Sequence, residues 1–114
     1  MEDAQIIDLY WLRNEQAIAE TDRKYGGFCH NIAMNILRSF SDSEECVSDT
    51  YHRAWDTMPP QKPGSLRAYL GRIVRNLSIS RYRQLHAQKR FSGAGILLRE
   101  LGGWVPGPDS VQPT

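Results

Sequence analysis

The stretch "LRAYLGRIVRNLSISRYRQLHAQK", residues 66–89, carries its apolar and its basic side chains in two separate registers. At about 100° per residue, with Leu66 at zero, Tyr69, Leu70, Ile73, Val74 and Leu77 fall between roughly 300° and 80°. That is one continuous apolar sector, the mark of a helix lying on a core. Arg72, Arg75, Asn76, Arg83 and His86 fall between about 180° and 280°, on the opposite side. Ser65 is an N-cap by residue type, so a helix is predicted over residues 66–89. Beyond Leu77 the apolar sector lapses while the basic one continues, which predicts last turns reaching past the core.

Working toward the N-terminus, "MPPQKPGS" (58–65) interrupts any helix with its prolines, which lack the amide proton and clash with the preceding turn. Ahead of it, "SDSEECVSDTYHRAWD" (41–56) reads as a third helix with Asp42 or Ser43 as N-cap. Glu44 and Glu45 would then sit in its first turn, where the helix dipole favours negative charge. Val47, Thr50, Tyr51, Ala54 and either Trp55 or Met58 form its buried side. On the other side Asp42, Glu45, Asp49 and Asp56 cluster within roughly 160–220° of Val47, with Arg53 at the edge. A long helix is predicted over 15–39 on the recurrence of Ile18, Tyr25, Cys29, Ile32 and Ile36, widened by Phe28, Ala33, Leu37 and Phe40. The pair Gly26-Gly27 either admits a close neighbour or marks a kink. A first helix is predicted over 3–13, capped by Asp3 and apolar at Ile6, Ile7, Tyr10 and Trp11; Asn14 and Glu15 either break it from the second or let it continue.

The expected fold is therefore all-α, a small bundle of about four helices over residues 1–91. The remainder, 92–114, reads as a Gly- and Pro-rich linker or tail with one helical turn at 96–101. The chain has 114 residues and a formal net charge of +1, a near-neutral total that conceals a division. Through Thr57 five basic residues face eleven acidic ones, a formal −6; from Met58 onward nine face two, a formal +7. Such asymmetry points to two partners of opposite character, or to halves that neutralise each other across the fold.

Several function classes find no support. Cys29 and His30 are adjacent, and Cys46 and His52 are six apart, spacings that do not assemble a metal site on one helical face. No Gly-rich phosphate loop, nucleophile elbow or His-Glu zinc motif is present, so neither enzyme chemistry nor a cofactor is expected. No apolar run is long enough to cross a bilayer. The acidic start "MEDAQIIDLYW" does not read as a secretory signal, and two cysteines make no disulfide framework, so a cytoplasmic protein is expected. The basic helix suits nucleic acid: arginine outnumbers lysine, fitting bidentate phosphate contacts, and Asn76 and the tyrosines offer amide and stacking groups for an unpaired base.

Taken together, "DSEECVSDTYHRAW" (42–55), a Pro-rich break and "LRAYLGRIVRNLSISRYR" (66–83) resemble region 2 of the extracytoplasmic-function, or group IV, sigma factors of bacterial RNA polymerase. The segment "YGGFCHNIAMNIL" (25–37) resembles the preceding part of that pattern, and the likeness covers roughly residues 3–90. The resemblance implies a transcription initiation factor domain. Its acidic helix would dock on the clamp helices of the polymerase's largest subunit, with Asp42, Glu45, Ser48, Asp49 and Arg53 matching contact positions. The loop and basic helix would recognise the −10 promoter element and hold its non-template strand, through Lys62, Arg72, Arg75, Asn76, Ser80 and Arg83. It also admits an inhibitory anti-sigma factor as a further partner. Ser80 stands where the family usually has Asp, and Ser48 where Gln is frequent. Family members carry a C-terminal helix-turn-helix domain that reads the −35 element, and residues 92–114 resemble the start of the linker leading to it. The competing readings are an autonomous helix-turn-helix binder of duplex DNA, against which the long Pro-rich loop argues, and a helical adaptor that binds only protein.

Overall fold

The computed structural model describes residues 1–89, and the expected turn at 96–101 and tail 92–114 lie outside the described residues. Four helices follow in order: α1 (Asp3–Trp11), α2 (Gln16–Leu37), α3 (Phe40–Thr57) and α4 (Leu66–Lys89). There is no strand among the described residues, and no described helix is long and apolar enough to cross a membrane. The chain divides into a compact unit Met1–Ile79 and a second unit beginning at Ser80.

The helix ends show which local signals prevail. Glu2, not Asp3, caps α1: its backbone N–H donates to Gln5 Oε1 at 2.9 Å. Asp3 is drawn instead to α2, where its carboxylate pairs with Lys24 Nζ at 2.7 Å and accepts from Tyr25 Oη. These two donors outweigh the effect of burial and hold the Asp3 carboxyl below its usual range. Asn14 and Glu15 do mark a break: α1 stops at Trp11, Arg13 turns into the left-handed region at φ 57°, and Asn14 Oδ1 accepts from the Gln16 N–H at 2.9 Å.

Arg38, left-handed at φ 56°, stops α2 although it is not a glycine. This leaves Ser39 alone before α3, and Ser39 is its N-cap, accepting from the Asp42 N–H at 3.3 Å. The third helix thus begins earlier than the Asp42 or Ser43 cap expected from residue type. Asp42 is the one acidic residue of its first turn, and Ser43 is fully buried. Phe40, expected on the apolar side of α2, opens α3 and is exposed. The expected cap of α4 is present, with Ser65 Oγ accepting from the Ala68 N–H at 3.2 Å.

The core of the first unit gathers Ile6 and Tyr10 of α1, Cys29 and Ala33 of α2, Val47, Tyr51 and Ala54 of α3, Met58, and Leu66, Leu70 and Val74 of α4. The deepest row of α2 differs from the expected stripe. Ala17 and Thr21 are fully buried, while Ile18, Tyr25, Ile32 and Ile36 are only half-buried. Small side chains lie deepest because neighbours come close there, as at Tyr10 Oη and Thr21 Oγ1, 2.6 Å apart. Helix α2 passes unbroken through Gly26-Gly27. At Gly26 the close-neighbour alternative holds, since an added Cβ would lie 2.7 Å from Asp22 Oδ1 and 3.4 Å from Tyr51 Oη. Gly71 serves α4 in the same way, admitting the ring of Phe28, which also carries the Arg67 guanidinium 4.3 Å from its centroid.

Candidate functional site

The outer face of α3 follows from what its inner face must bury. Cys46, Val47, Thr50, Tyr51 and Ala54 turn inward, and Thr50 satisfies its hydroxyl by donating to the Cys46 carbonyl at 2.7 Å. Tyr51 Oη donates to Asp22 Oδ1 at 2.8 Å and so locks the rotation of α3 against α2. Burial, reinforced by that carboxylate, pushes the Tyr51 hydroxyl far above its ordinary value, so it is a fixed donor. With the inner face held, Glu45, Ser48, Asp49 and Arg53 are exposed on one side, with Asp42 half-buried at its start. Beside this stripe runs an open groove of about 1090 Å³ between α2 and α3, lined by Asp22, His30, Glu44, Ser48, His52 and Trp55 among others. His30 Nδ1 lies 3.8 Å from Glu44 Oε2, and its ring packs against Phe40.

Both cysteines are free and buried. Burial, with the Asp22 carboxylate adding to it, pushes the Cys29 thiol up to about 11, leaving it protonated and inert as nucleophile or ligand near neutral pH. No group of His, Cys, Asp or Glu among the described residues is placed to hold a metal ion.

The 58–65 loop is fastened at its start. Met58 is fully buried, and Thr57 Oγ1 is hydrogen-bonded to the Tyr69 hydroxyl on α4. Arg13 reaches across from the end of α1, donating through Nη1 to the carbonyls of Trp55 at 2.8 Å and Met58 at 2.9 Å. Its guanidinium lies 3.8 Å from the Trp55 ring centroid. Trp11 Nε1 donates to the Gln61 carbonyl at 3.0 Å, and Lys62 Nζ sits 5.7 Å from the Trp11 ring centroid. Neither Arg13 nor Trp11 stands out in the sequence as part of the loop. The only local sign is a Trp and an Arg flanking the point where α1 gives out.

On α4, Arg72, Arg75 and Asn76 are exposed, opposite Leu70, Val74 and Ser78, which are fully buried. In the second unit Ser80 and Arg83 are exposed, and the rings of Tyr82 and His86 lie tilted by 38° with centroids 4.1 Å apart. The structure thus places Lys62 on the α1 side of the loop, beside Trp11, and Arg72, Arg75 and Asn76 on the exposed side of α4. Among the described residues none of Arg72, Arg75 and Arg83 forms an ion pair with a carboxylate, and neither does Asp49 with a cation.

Residues 22–88, more than half of the chain, match the family model described as Sigma-70 region 2. No curated protein and no solved structure matches the chain. The matched span begins at Asp22, the partner of Tyr51, and contains most of α2, all of α3 and the loop, and nearly all of α4. The chain belongs to the sigma-70 region 2 family, the sigma factor domain that acts in transcription initiation with core RNA polymerase and promoter DNA.

Proposed function

We propose that this is the region 2 domain of an extracytoplasmic-function sigma factor, acting in the cytoplasm, with its two charged faces serving different partners. The observation that carries the reading is the separation of exposed charge. Glu45 and Asp49 share one side of α3 with Ser48 and Arg53, and Arg72, Arg75 and Asn76 share one side of α4. An acidic stripe repels the DNA backbone and suits a basic protein surface, so α3 docks on the clamp helices of the polymerase. A basic stripe with an amide suits an opened strand, so α4 and the loop capture the non-template strand of the −10 element.

Lys62, Arg72 and Arg75 meet phosphates, and Asn76 offers both a donor and an acceptor to an unstacked base. Ser80 and Arg83, in the second unit, match further positions of the family's DNA-contacting pattern. Extruding a base from the duplex costs a few kcal/mol, which polymerase binding at α3 offsets by holding the domain in place. No covalent step falls to this chain. Ser48 and Ser80 carry short hydroxyl side chains where the family more often has Gln and Asp, so contacts at those positions are shorter in reach.

The test is a titration of the chain against core RNA polymerase lacking sigma, in parallel with Asp49→Arg. The wild type is expected to bind and the charge reversal to abolish binding while leaving the thermal unfolding of the chain unchanged. Equal binding by both proteins would sink the acidic dock and favour an adaptor that uses another surface.

A further inference from the structure

The turn that ends α1 exposes more apolar surface than its packing requires. Trp11 is 40% exposed and Leu12, its neighbour, 75%. A lone exposed apolar residue needs no explanation, but here two are adjacent and one is held in place. The indole N–H is bonded to the Gln61 carbonyl, which fixes the ring against the 58–65 loop while leaving part of it in solvent. Lys62, the next loop residue, places its ammonium over that ring. Arg13 fastens the same loop through two carbonyls, so the ring and the lysine are presented together on a tethered platform.

A fixed aromatic surface beside a cation is how proteins hold single-stranded nucleic acid: the base stacks on the ring and its phosphate meets the charge. Stacking tolerates any base, because each has a π-face. The ammonium–ring contact is weak at an exposed site, which leaves Lys62 able to exchange the ring for a phosphate oxygen. Duplex DNA would gain little here, since its bases are already stacked. We propose that Trp11, flanked by Leu12 and Lys62, is a nucleotide-binding subsite for one unpaired base of single-stranded DNA, outside α4 and continuous with the loop. The subsite rests on the reading that the loop meets an opened strand, and charge complementarity and continuity with the loop select DNA over a protein partner.

The experiment uses the full chain assembled with core RNA polymerase. A labelled single strand is first recovered by the wild-type assembly from a randomised DNA pool. Binding of that strand is then compared for wild type, Trp11→Ala, Trp11→Leu and Trp11→Phe, each checked for folding by thermal unfolding. Both Trp11→Ala and Trp11→Leu should weaken binding roughly ten-fold, the loss of one stacked base. Trp11→Phe, which keeps a ring but lacks the N–H, should retain most of the affinity. Removing one base of the strand, by an abasic substitution at a single position, should make wild type and Trp11→Leu bind alike. Equal loss in Phe and Leu variants would show that Trp11 only tethers the loop, and overturns the subsite. Unchanged strand binding in all three variants also overturns it, as does a loss confined to polymerase affinity, which would mark a protein contact. A pool that yields no retained strand for the wild type overturns the underlying reading of the loop and the subsite with it.

Discussion

Helices α2 and α3 meet through small residues, whereas α4 reaches the core through large ones. The fully buried positions of α2 are Ala17, Thr21, Cys29 and Ala33, and those of α3 include Ser43, Thr50 and Ala54. On α4 the fully buried positions are Leu66, Leu70 and Val74, followed by Ser78. Small side chains let helix axes approach until backbone and hydroxyl groups set the fit. Thr21 and Thr50 accordingly return their hydroxyls to carbonyls one turn back. Large side chains hold a helix off and stabilise it by volume, with Gly71, where Phe28 presses in, and the fully buried Ser78 as local exceptions. The acidic face of α3 is therefore oriented by close steric fit and by the Tyr51–Asp22 bond, and the basic face of α4 by how well leucines fill space.

The largest effect should come from breaking the α4 side of this contrast. Leu70→Ala removes a fully buried side chain, and the cavity it leaves is expected to cost about 2–5 kcal/mol in denaturant unfolding. A cost under about 1 kcal/mol would mean α4 is not held by volume. The matching change on the close-packed side is Ala33→Leu, which forces added methylenes into a fully buried site. Overpacking there is expected to cost about 1–3 kcal/mol, read in the same assay. A stabilising Ala33→Leu would show spare room in α2 and remove the basis of the comparison.

Much of this was legible in the sequence, and the failures have a common cause. The apolar sector of α4, its Ser65 cap and the proline stop after α3 were each carried by residues within a few positions of one another, so periodicity and residue type sufficed. The acidic and basic faces were legible for the same reason, since exposure is what an apolar stripe leaves over. What was not legible depends on size or on distance along the chain. Ser39, Ser41, Asp42 and Ser43 are all acceptable caps by type, and the choice of Ser39 follows from α2 stopping at left-handed Arg38. The depth of Ala17 and Thr21 follows from how near the neighbouring helices come, and a hydrophobicity pattern ranks isoleucine above both. Arg13 and Trp11 act through bonds spanning 42 to 50 residues of sequence, which no local pattern records.

The smallest effect gives the finest discrimination, because Gly26 and Gly27 are adjacent in one helix and differ only in what faces them. Replacing glycine by alanine in a helix interior gains about 0.8–1.0 kcal/mol of intrinsic propensity at either position. At Gly27 nothing lies within 4 Å of an added Cβ, so Gly27→Ala should stabilise the chain by nearly that amount. At Gly26 the added Cβ would crowd Asp22 Oδ1, the oxygen that accepts from the Tyr51 hydroxyl. Displacing that acceptor gives up a hydrogen bond worth about 1 kcal/mol, so Gly26→Ala should be neutral or slightly destabilising. Asp22→Ala in the Gly26→Ala background removes the crowded carboxylate, and alanine at 26 should then recover its propensity gain. If both glycine replacements stabilise equally, the Asp22–Tyr51 contact yields without cost. The rotation of α3 would then not be fixed by that bond, and the orientation of its acidic face would rest on the small-residue packing alone.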